Sequence, residues 1–262
     1  MPALAALLCA PALEDARAGA WTQKESEGSA YLQTIATSSD QAFDGDGDLF
    51  AAQTYDKVST QLFLEYGASD WLTLLVAPEL VQIDVGAPAS AGYSGFGYTE
   101  IGARLRLAYG ENWIVSAQGL ARIPGAKANE GVAAIGYLDG EAEARFMVGL
   151  TFEVWELPSF LDLEVAQRFR TGAAPDEIHF DATLGVRVAP QWLLLAQSFN
   201  VISEGAGEAP VFGLSYEYYK VQAGGMYDVT PHFSLLLAVV STWYARNAPQ
   251  ENGIVGAALY RY

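Results

Sequence analysis

Charged residues recur at alternate positions in several segments of this sequence, and they are its main candidates for binding a solute or for forming ion pairs. Seven of the ten arginines share one parity with carboxylates in segments whose intervening residues are apolar. Because successive side chains of a β-strand point to opposite faces, this spacing places the charges on one face. Such charges can select solutes by field and hydrogen bonding, or can pair across neighbouring strands and fill the space between them. The predicted pore-lining set consists of Glu65, Glu100, Arg104, Arg106, Arg122, Glu143, Arg145, Glu153, Asp162, Glu164, Arg168, Arg170, Glu177, His179, Asp181, Arg187 and Glu217.

Three aspartates at alternate positions, Asp44, Asp46 and Asp48, resemble a calcium-binding loop. Carboxylates with this spacing can converge on a hard cation. An EF-hand needs Gly at its sixth position and Glu at its twelfth, where this chain has Leu49 and Tyr55. We therefore interpret the segment as an acidic outer loop, with divalent-cation binding as the alternative.

The sequence has two histidines, His179 and His232, and their positions give little support for a hydrolytic site. An outer-membrane lipid hydrolase needs Ser and His together on the lipid-facing side, whereas His179 has pore-facing parity and His232 falls in a predicted turn. The Gly-x-x-Gly-x-Gly stretch at residues 92–97 leads into a strand instead of a helix, which removes a phosphate-binding interpretation. We predict no enzymatic activity and no cofactor.

The elements that must position the charges are long amphipathic strands. Apolar residues occupy every second position from Ala142 to Val154, and the pattern recurs from Ile178 to Val188. Soluble strands are usually about 5–6 residues long, whereas membrane-crossing strands need about 9–11. The length of these segments therefore favours the wall of a membrane barrel, with a soluble lipocalin-like barrel as the alternative fold.

Two kinds of connection alternate along the chain, which is typical of a transmembrane barrel. Short turns flanked by aromatic residues alternate with longer polar or Gly-rich loops, such as residues 38–56. Periplasmic turns of outer-membrane barrels are short and ringed by aromatic girdles, while their outer loops are longer. The predicted girdle consists of Tyr66, Trp71, Tyr109, Trp113, Trp155, Phe160, Trp192 and Phe233.

Counting the connections predicts an all-β fold, a single antiparallel barrel of twelve strands with both termini in the periplasm. Segment 210–227 is long and its parity slips at residues 218–220, so we interpret it as one bulged strand. The predicted strands are 28–37, 57–66, 71–84, 97–109, 113–124, 140–155, 160–170, 176–189, 192–202, 210–227, 232–246 and 252–262.

Composition and the first twenty residues agree with export to an outer membrane. The net charge of −17 argues against a nucleic-acid partner, which needs a basic surface. An apolar run at residues 2–13, followed by Ala18-Gly19-Ala20, predicts a signal peptide at 1–20 and a barrel at 21–262. No Lys or Arg precedes the run, so we expect the natural start to lie further upstream. The aromatic Tyr262 ending an amphipathic strand resembles the signal that the bacterial outer-membrane assembly machinery recognises.

Three stretches carry a resemblance to a known family: residues 19–23, 64–74 and 97–104. They resemble uncharacterised proteobacterial outer-membrane proteins of the family labelled putative meta-pathway of phenol degradation. The resemblance implies a barrel that admits small hydrophobic or aromatic compounds, and it implies no specific functional residues.

The sequence as a whole predicts a passive channel or uptake porin for small solutes in the bacterial outer membrane, surrounded by its lipid, with the solute undetermined. A closed structural or adhesive barrel, its lumen filled by ion pairs, is the first alternative. An outer-membrane lipid hydrolase is the second.

Overall fold

The computed structural model describes residues 19–127, 129–209 and 212–262 as an all-β, closed antiparallel barrel. Among these residues no helix is long and apolar enough to cross a membrane. A 3₁₀ helix covers Val132–Tyr137 in the loop between the fifth and sixth strands. The strands are β1 (Gly28–Phe43), β2 (Leu49–Ser69), β3 (Leu72–Val85), β4 (Ala91–Tyr109), β5 (Trp113–Pro124), β6 (Glu141–Val154), β7 (Leu157–Arg170), β8 (Glu177–Ala189), β9 (Trp192–Ser203), β10 (Glu217–Thr230), β11 (Phe233–Arg246), β12 (Ala248–Pro249) and β13 (Asn252–Arg261).

Twelve long strands form the wall, and the two-residue β12 pairs with the outer end of β1. Each strand from β1 to β10 pairs with the next along the chain, and β11 pairs with β13. The barrel closes where β13 pairs with β1 from Asn252 to Arg261. Closure leaves no free edge in the wall, which lets a sheet sit in lipid with its backbone groups bonded. The prediction of an all-β fold with a single antiparallel barrel of twelve strands is confirmed.

Alternation divides each strand into a lipid-facing and a lumen-facing side. In β11, for example, Leu235, Leu237 and Val239 are exposed, while Leu236 and Ala238 are buried. The predicted girdle residues Tyr66, Trp71, Tyr109, Trp113, Trp155 and Trp192 are exposed at the end of the barrel that carries the short turns.

The girdle prediction is wrong for Phe160. This side chain is 1% exposed and packs edge-on against Trp21, with ring centroids 5.8 Å apart. Phe160 shares its parity in β7 with Asp162, so its ring points into the lumen. It supports the interior of the barrel and does not contact lipid.

The outer loops are more regular than the sequence predicts. The predicted loop 38–56 is mostly strand, because β1 and β2 continue as a hairpin to a turn at residues 44–48. The tenth strand begins at Glu217, not at residue 210, and its pairing with β11 is irregular after Tyr219, close to the predicted bulge.

The interior holds an apolar cluster on one side of the barrel. Phe160 contributes from β7, while the other members come from β9 to β11 and β13, with β1 packed against them. The cluster consists of Phe160, Leu193, Met226, Leu236, Ala238, Val240 and Val255. The lumen is therefore two-sided, since the charged residues lie mainly on β4 to β8.

Candidate functional site

The charged side of the lumen is a ladder of ion pairs that crosses from strand to strand. Register places Glu143 of β6 opposite Arg168 of β7, and their side chains meet at 2.7 Å. Arg145 lies beside Glu143 at 2.8 Å, contacts Asp181 of β8 at 2.7 Å and also pairs with Glu164. These side chains are at most 16% exposed. Pairing compensates most of the charge that the wall carries inward, as cross-strand neighbours of opposite sign do.

The outer end of the ladder is centred on two glutamates. Glu141 pairs with Arg170 at 2.8 Å and with Arg122. Glu177 pairs with Arg170 at 3.0 Å and with Arg168 at 3.4 Å. Glu141 has the lumen-facing parity of Glu143, as the alternation of the sequence predicts, although the pore-lining set above omits it. Each of these carboxylates is held by at least two guanidinium groups, which fixes their geometry.

A cavity of about 580 Å³ opens above the ladder at the end with the longer loops. Its floor includes Arg122, Arg170 and Glu177, and its side includes Tyr137 from the 3₁₀ helix. Tyr137 contacts Tyr98, with ring centroids 5.4 Å apart. Burial raises the pKa of Tyr137 well above its ordinary value, so its hydroxyl stays protonated at neutral pH. The cavity is a vestibule whose floor is the outer end of the ladder.

Residues 19–27, the N-terminal segment, enter the barrel from the short-turn end. Gln23 donates its backbone N–H to Thr73 Oγ1 at 2.8 Å, and its side chain donates to Glu65 at 2.7 Å. Thr22 donates to the carbonyl of Asp70 at 2.8 Å. The segment therefore occupies the periplasmic half of the lumen, since short turns lie on that side of outer-membrane barrels.

Arg104 connects the N-terminal segment to the ladder. Its guanidinium donates to the carbonyl of Trp21 at 2.8 Å and pairs with Glu65 at 3.0 Å. It also donates to Gln118 of β5 at 3.1 Å. Deeper in the lumen, the backbone N–H of Ala20 donates to Asp162 at 2.9 Å. A leader that ends at residue 20, as predicted from the sequence, does not include this arrangement.

The remaining predicted residues lie at several different places. Arg106 stacks on Tyr109 at 4.4 Å, Arg187 pairs with Asp228 at 2.7 Å, and Glu153 is exposed near the short-turn end. Buried His179 contacts Glu177 at 3.0 Å. Glu100 pairs with Arg122 at 2.9 Å.

The prediction for Glu217 is wrong. Lys220, Gln222 and Met226 of β10 face the lumen, so Glu217 has the opposite parity. It lies at the outer rim beside Arg246, at 3.5 Å. The slip in the polar pattern near residues 218–220 concealed which parity faces inward.

The aspartates of the outer turn do not form a metal site in the part of the chain that the structure describes. Asp44 Oδ1 accepts the backbone N–H groups of Asp46 and Asp48, each at 2.9 Å. These hydrogen bonds lower the pKa of Asp44, since they favour the charged carboxylate. The carboxylate closes the turn of the hairpin.

Comparison with solved structures supports the fold. The chain is similar to the COG4313 outer membrane channel from Pseudomonas putida F1, with 16% identity, a TM-score of 0.72, and coverage of 93% of this chain and 98% of that chain. It is also similar to the KdgM porin in complex with disordered oligogalacturonate (8% identity, TM-score 0.50, coverage 89% and 98%). A third similar structure is the translocator domain of the autotransporter NalP from Neisseria meningitidis (9% identity, TM-score 0.51, coverage 92% and 90%).

These neighbours show an outer-membrane β-barrel, which confirms the predicted location in the bacterial outer membrane. The fold is that of outer-membrane channels and porins, and it is shared with a barrel that belongs to an autotransporter. No protein-family model matches the chain, and no curated protein matches it. The resemblance to the phenol meta-pathway family is therefore not confirmed.

Proposed function

We propose that the protein is a passive outer-membrane channel for small solutes, whose route runs from the vestibule along the ion-pair ladder. The observation that carries the proposal is that Arg122, Arg170 and Glu177 line the cavity and also form the outer end of the ladder. A solute that enters the vestibule thus meets polar groups at the start of the charged side. The similarity to outer-membrane channels supports the same function.

The N-terminal segment is the part that would have to move for a solute to pass. It occupies the periplasmic half of the lumen, and Trp21 packs there against Phe160 of the apolar cluster. The wall itself is continuous, so opening requires no break in the barrel. We infer that the described state is closed and that release of residues 19–24 opens the route.

Ion selectivity should be weak when the route is open. Of the seven predicted arginines, Arg106 has no carboxylate within 4.0 Å among the described residues, whereas the others are ion-paired. Paired charges produce a smaller net field than a track of one sign. Removing a single partner unbalances the ladder, so Arg168→Gln should shift selectivity towards cations and Glu143→Gln towards anions.

Conductance in planar bilayers tests the proposal. Refolded residues 19–262 are compared with a chain that lacks residues 19–24, and a substitution in the exposed turn at residues 44–48 serves as the control. We expect the truncated chain to conduct steadily and the other two to conduct little. Arg168→Gln and Glu143→Gln are then introduced into the truncated chain. Their reversal potentials in a salt gradient test whether the ladder lines the route.

A closed structural barrel is the second candidate, and the ion pairs and the buried apolar cluster favour it. It predicts that the truncated chain stays silent although heat-shifted gel mobility shows that it is folded. In that case Arg168→Gln would change the free energy of unfolding, and neither wild type nor the variant would conduct.

The class of solute rests on the resemblance noted in the sequence. Small hydrophobic or aromatic compounds would meet Tyr55, Tyr137 and Tyr218 around the vestibule. Swelling of vesicles that contain the truncated barrel, measured with phenol and with a sugar of similar size, would test this preference. Equal rates would argue against it.

A further inference from the structure

Among the described residues, one buried carboxylate of the lumen has no cation in direct contact with it. Asp162 is 2% exposed, and no Lys, Arg or His among the described residues lies within 4.0 Å of its oxygens. Glu164 lies within hydrogen-bonding reach of it and adds a second carboxyl group to the same site. Arg145 pairs with Glu164 but is shared with Glu143 and Asp181. A buried carboxylate is costly unless it is paired.

The start of the N-terminal segment is seated on this carboxylate. The backbone nitrogen of Ala20 donates to Asp162 Oδ1 at 2.9 Å, and Ala20 is fully buried. Ser116 donates to the carbonyl of Ala20. Both backbone groups of Ala20 therefore bond the wall, and a mature chain that began at Trp21 would leave these partners without it.

Gly19 fits the seat only because it has no side chain. Its φ is +83°, and a Cβ built on it would lie 1.9 Å from Asp162 Oδ2. The Gly19 Cα thus touches the carboxylate. In the sequence, Ala16-Arg17-Ala18 precedes Gly19 and has the small-x-small pattern of a signal-peptidase site.

We propose that the leader is cleaved after Ala18, so that the mature chain begins at Gly19, and that the new α-ammonium group is the counter-ion of Asp162. An α-amino group ordinarily has a pKa of about 7.7–8.0, so it is mostly charged at neutral pH. Cleavage hydrolyses the Ala18–Gly19 peptide bond, leaves the carboxylate on Ala18 and frees the amine that takes up a proton. This ammonium group does not exist until the Ala18–Gly19 bond is cleaved, so processing creates the group that fixes the N-terminal segment in the lumen. The proposal does not depend on whether the barrel conducts.

The first experiment identifies the mature N-terminus. The precursor is expressed in a Gram-negative host with two lysines inserted before Pro2, which supply a basic residue ahead of the apolar run. The barrel is purified from outer membranes and its N-terminus is sequenced. We expect Gly19 as the first residue. Trp21, any other first residue or an unprocessed chain overturns the cleavage position.

The second experiment tests the counter-ion with the same exported protein. Folded wild type, Asp162→Asn and Asp84→Asn are reductively methylated, and peptide mass mapping measures modification of the Gly19 amine. Asp84 is an exposed carboxylate near the outer end of β3 and serves as the matched control. Since each 1.4 kcal/mol of lost interaction is a factor of ten, we expect the amine of Asp162→Asn to react at least about tenfold faster than in wild type.

Two outcomes of the second experiment would overturn the assignment of the Gly19 α-ammonium group as the counter-ion of Asp162. Equal reactivity of the amine in wild type and Asp162→Asn overturns the counter-ion, even where sequencing gives Gly19. An equal rise in Asp84→Asn shows general loosening and overturns it as well. If Asp162→Asn does not fold, wild type still decides, because a fast-reacting Gly19 amine contradicts a buried ion pair.

Discussion

Replacement of Arg104 by Gln separates two roles that the lumen-facing arginines could have. In the structure Arg104 pairs with Glu65 at 3.0 Å and donates to the carbonyl of Trp21 at 2.8 Å. Gln in its place removes the charge and is too short to reach both. Of its partners among the described residues, the Glu65 carboxylate would keep only the hydrogen bond from the side chain of Gln23. The substitution therefore leaves a partly buried carboxylate without its cation.

The size of the effect follows from burial. Breaking a buried ion pair by removing one partner costs about 3–5 kcal/mol. The side chain of Glu65 is 18% exposed and that of Arg104 7% exposed, so water screens part of the loss. We therefore take the lower end of the range and expect a loss of about 3 kcal/mol in the free energy of unfolding.

Arg106 provides the matched control, because it lies two residues along the same strand and face. Its guanidinium stacks on Tyr109 at 4.4 Å and has no carboxylate within 4.0 Å in the described part of the chain. An exposed cation–π contact is worth about 0.5–1 kcal/mol, so Arg106→Gln should cost no more than that. Urea unfolding in lipid vesicles, followed by tryptophan fluorescence, measures both variants. Equal losses for the two arginines would refute the view that ion pairing holds the ladder.

Three further changes test other parts of the molecule. Glu141→Gln should destabilise the barrel by about 3 kcal/mol, because several arginines would lose a buried carboxylate, and the same urea titration would measure it. Gly149→Val should displace Trp21, since a Cβ at this position would lie 2.6 Å from the Trp21 ring. Acrylamide quenching of tryptophan fluorescence should then rise. Unchanged quenching would contradict the packing of Trp21 against Gly149. The Asp44 carboxyl should titrate below the ordinary Asp pKa of about 3.9, as ¹³C NMR would show. Its hydrogen bonds to the turn are then fully present above that ordinary value and are lost as pH falls through the lowered pKa, and a midpoint at or above the ordinary value would contradict them.

Period-two alternation was sufficient to predict the wall and most of the charges. The stretch from Ala142 to Val154 alternates without interruption, and the structure forms β6 from Glu141 to Val154. The same parity places Glu143 and Arg145 in the lumen, where they pair. Local pattern sufficed there because the two faces of each strand contact different surroundings.

Phe160 and Glu217 show where a local rule fails. Phe160 flanks a short turn, which suggested the girdle, but its parity is that of Asp162, and parity decides which face it occupies. At Glu217 the polar pattern of the sequence slips, although β10 itself pairs with β9 in unbroken register and the irregularity in its pairing with β11 skips Trp243. In both cases pairing with a neighbouring strand fixes the face, and pairing is a long-range property.

The lumen contents were beyond prediction for the same reason. The hydrogen bond from Ala20 to Asp162 joins residues 142 positions apart. Tyr98 and Tyr137 meet only because the loop after β5 folds over the mouth of the barrel. Gly19, Ala20 and Trp21 carry no charged side chain, so nothing in their own sequence indicates that the N-terminal segment enters the lumen.

The N-terminal segment is held by contacts whose sum is close to the entropy that release would gain. Six hydrogen bonds no longer than 2.9 Å join residues 20–23 to the wall. At about 1 kcal/mol net for each bond they contribute roughly 6 kcal/mol, and burial of the Trp21 ring adds about 2 kcal/mol. Ordering about six residues costs roughly 1–2 kcal/mol for each backbone. Because the two totals are of the same size, the charged contacts at Arg104 and Asp162 decide whether the segment stays seated. A segment balanced in this way can close a channel and can still be released. A strand of the wall cannot be released in the same way, because its backbone hydrogen-bond ladder is complete.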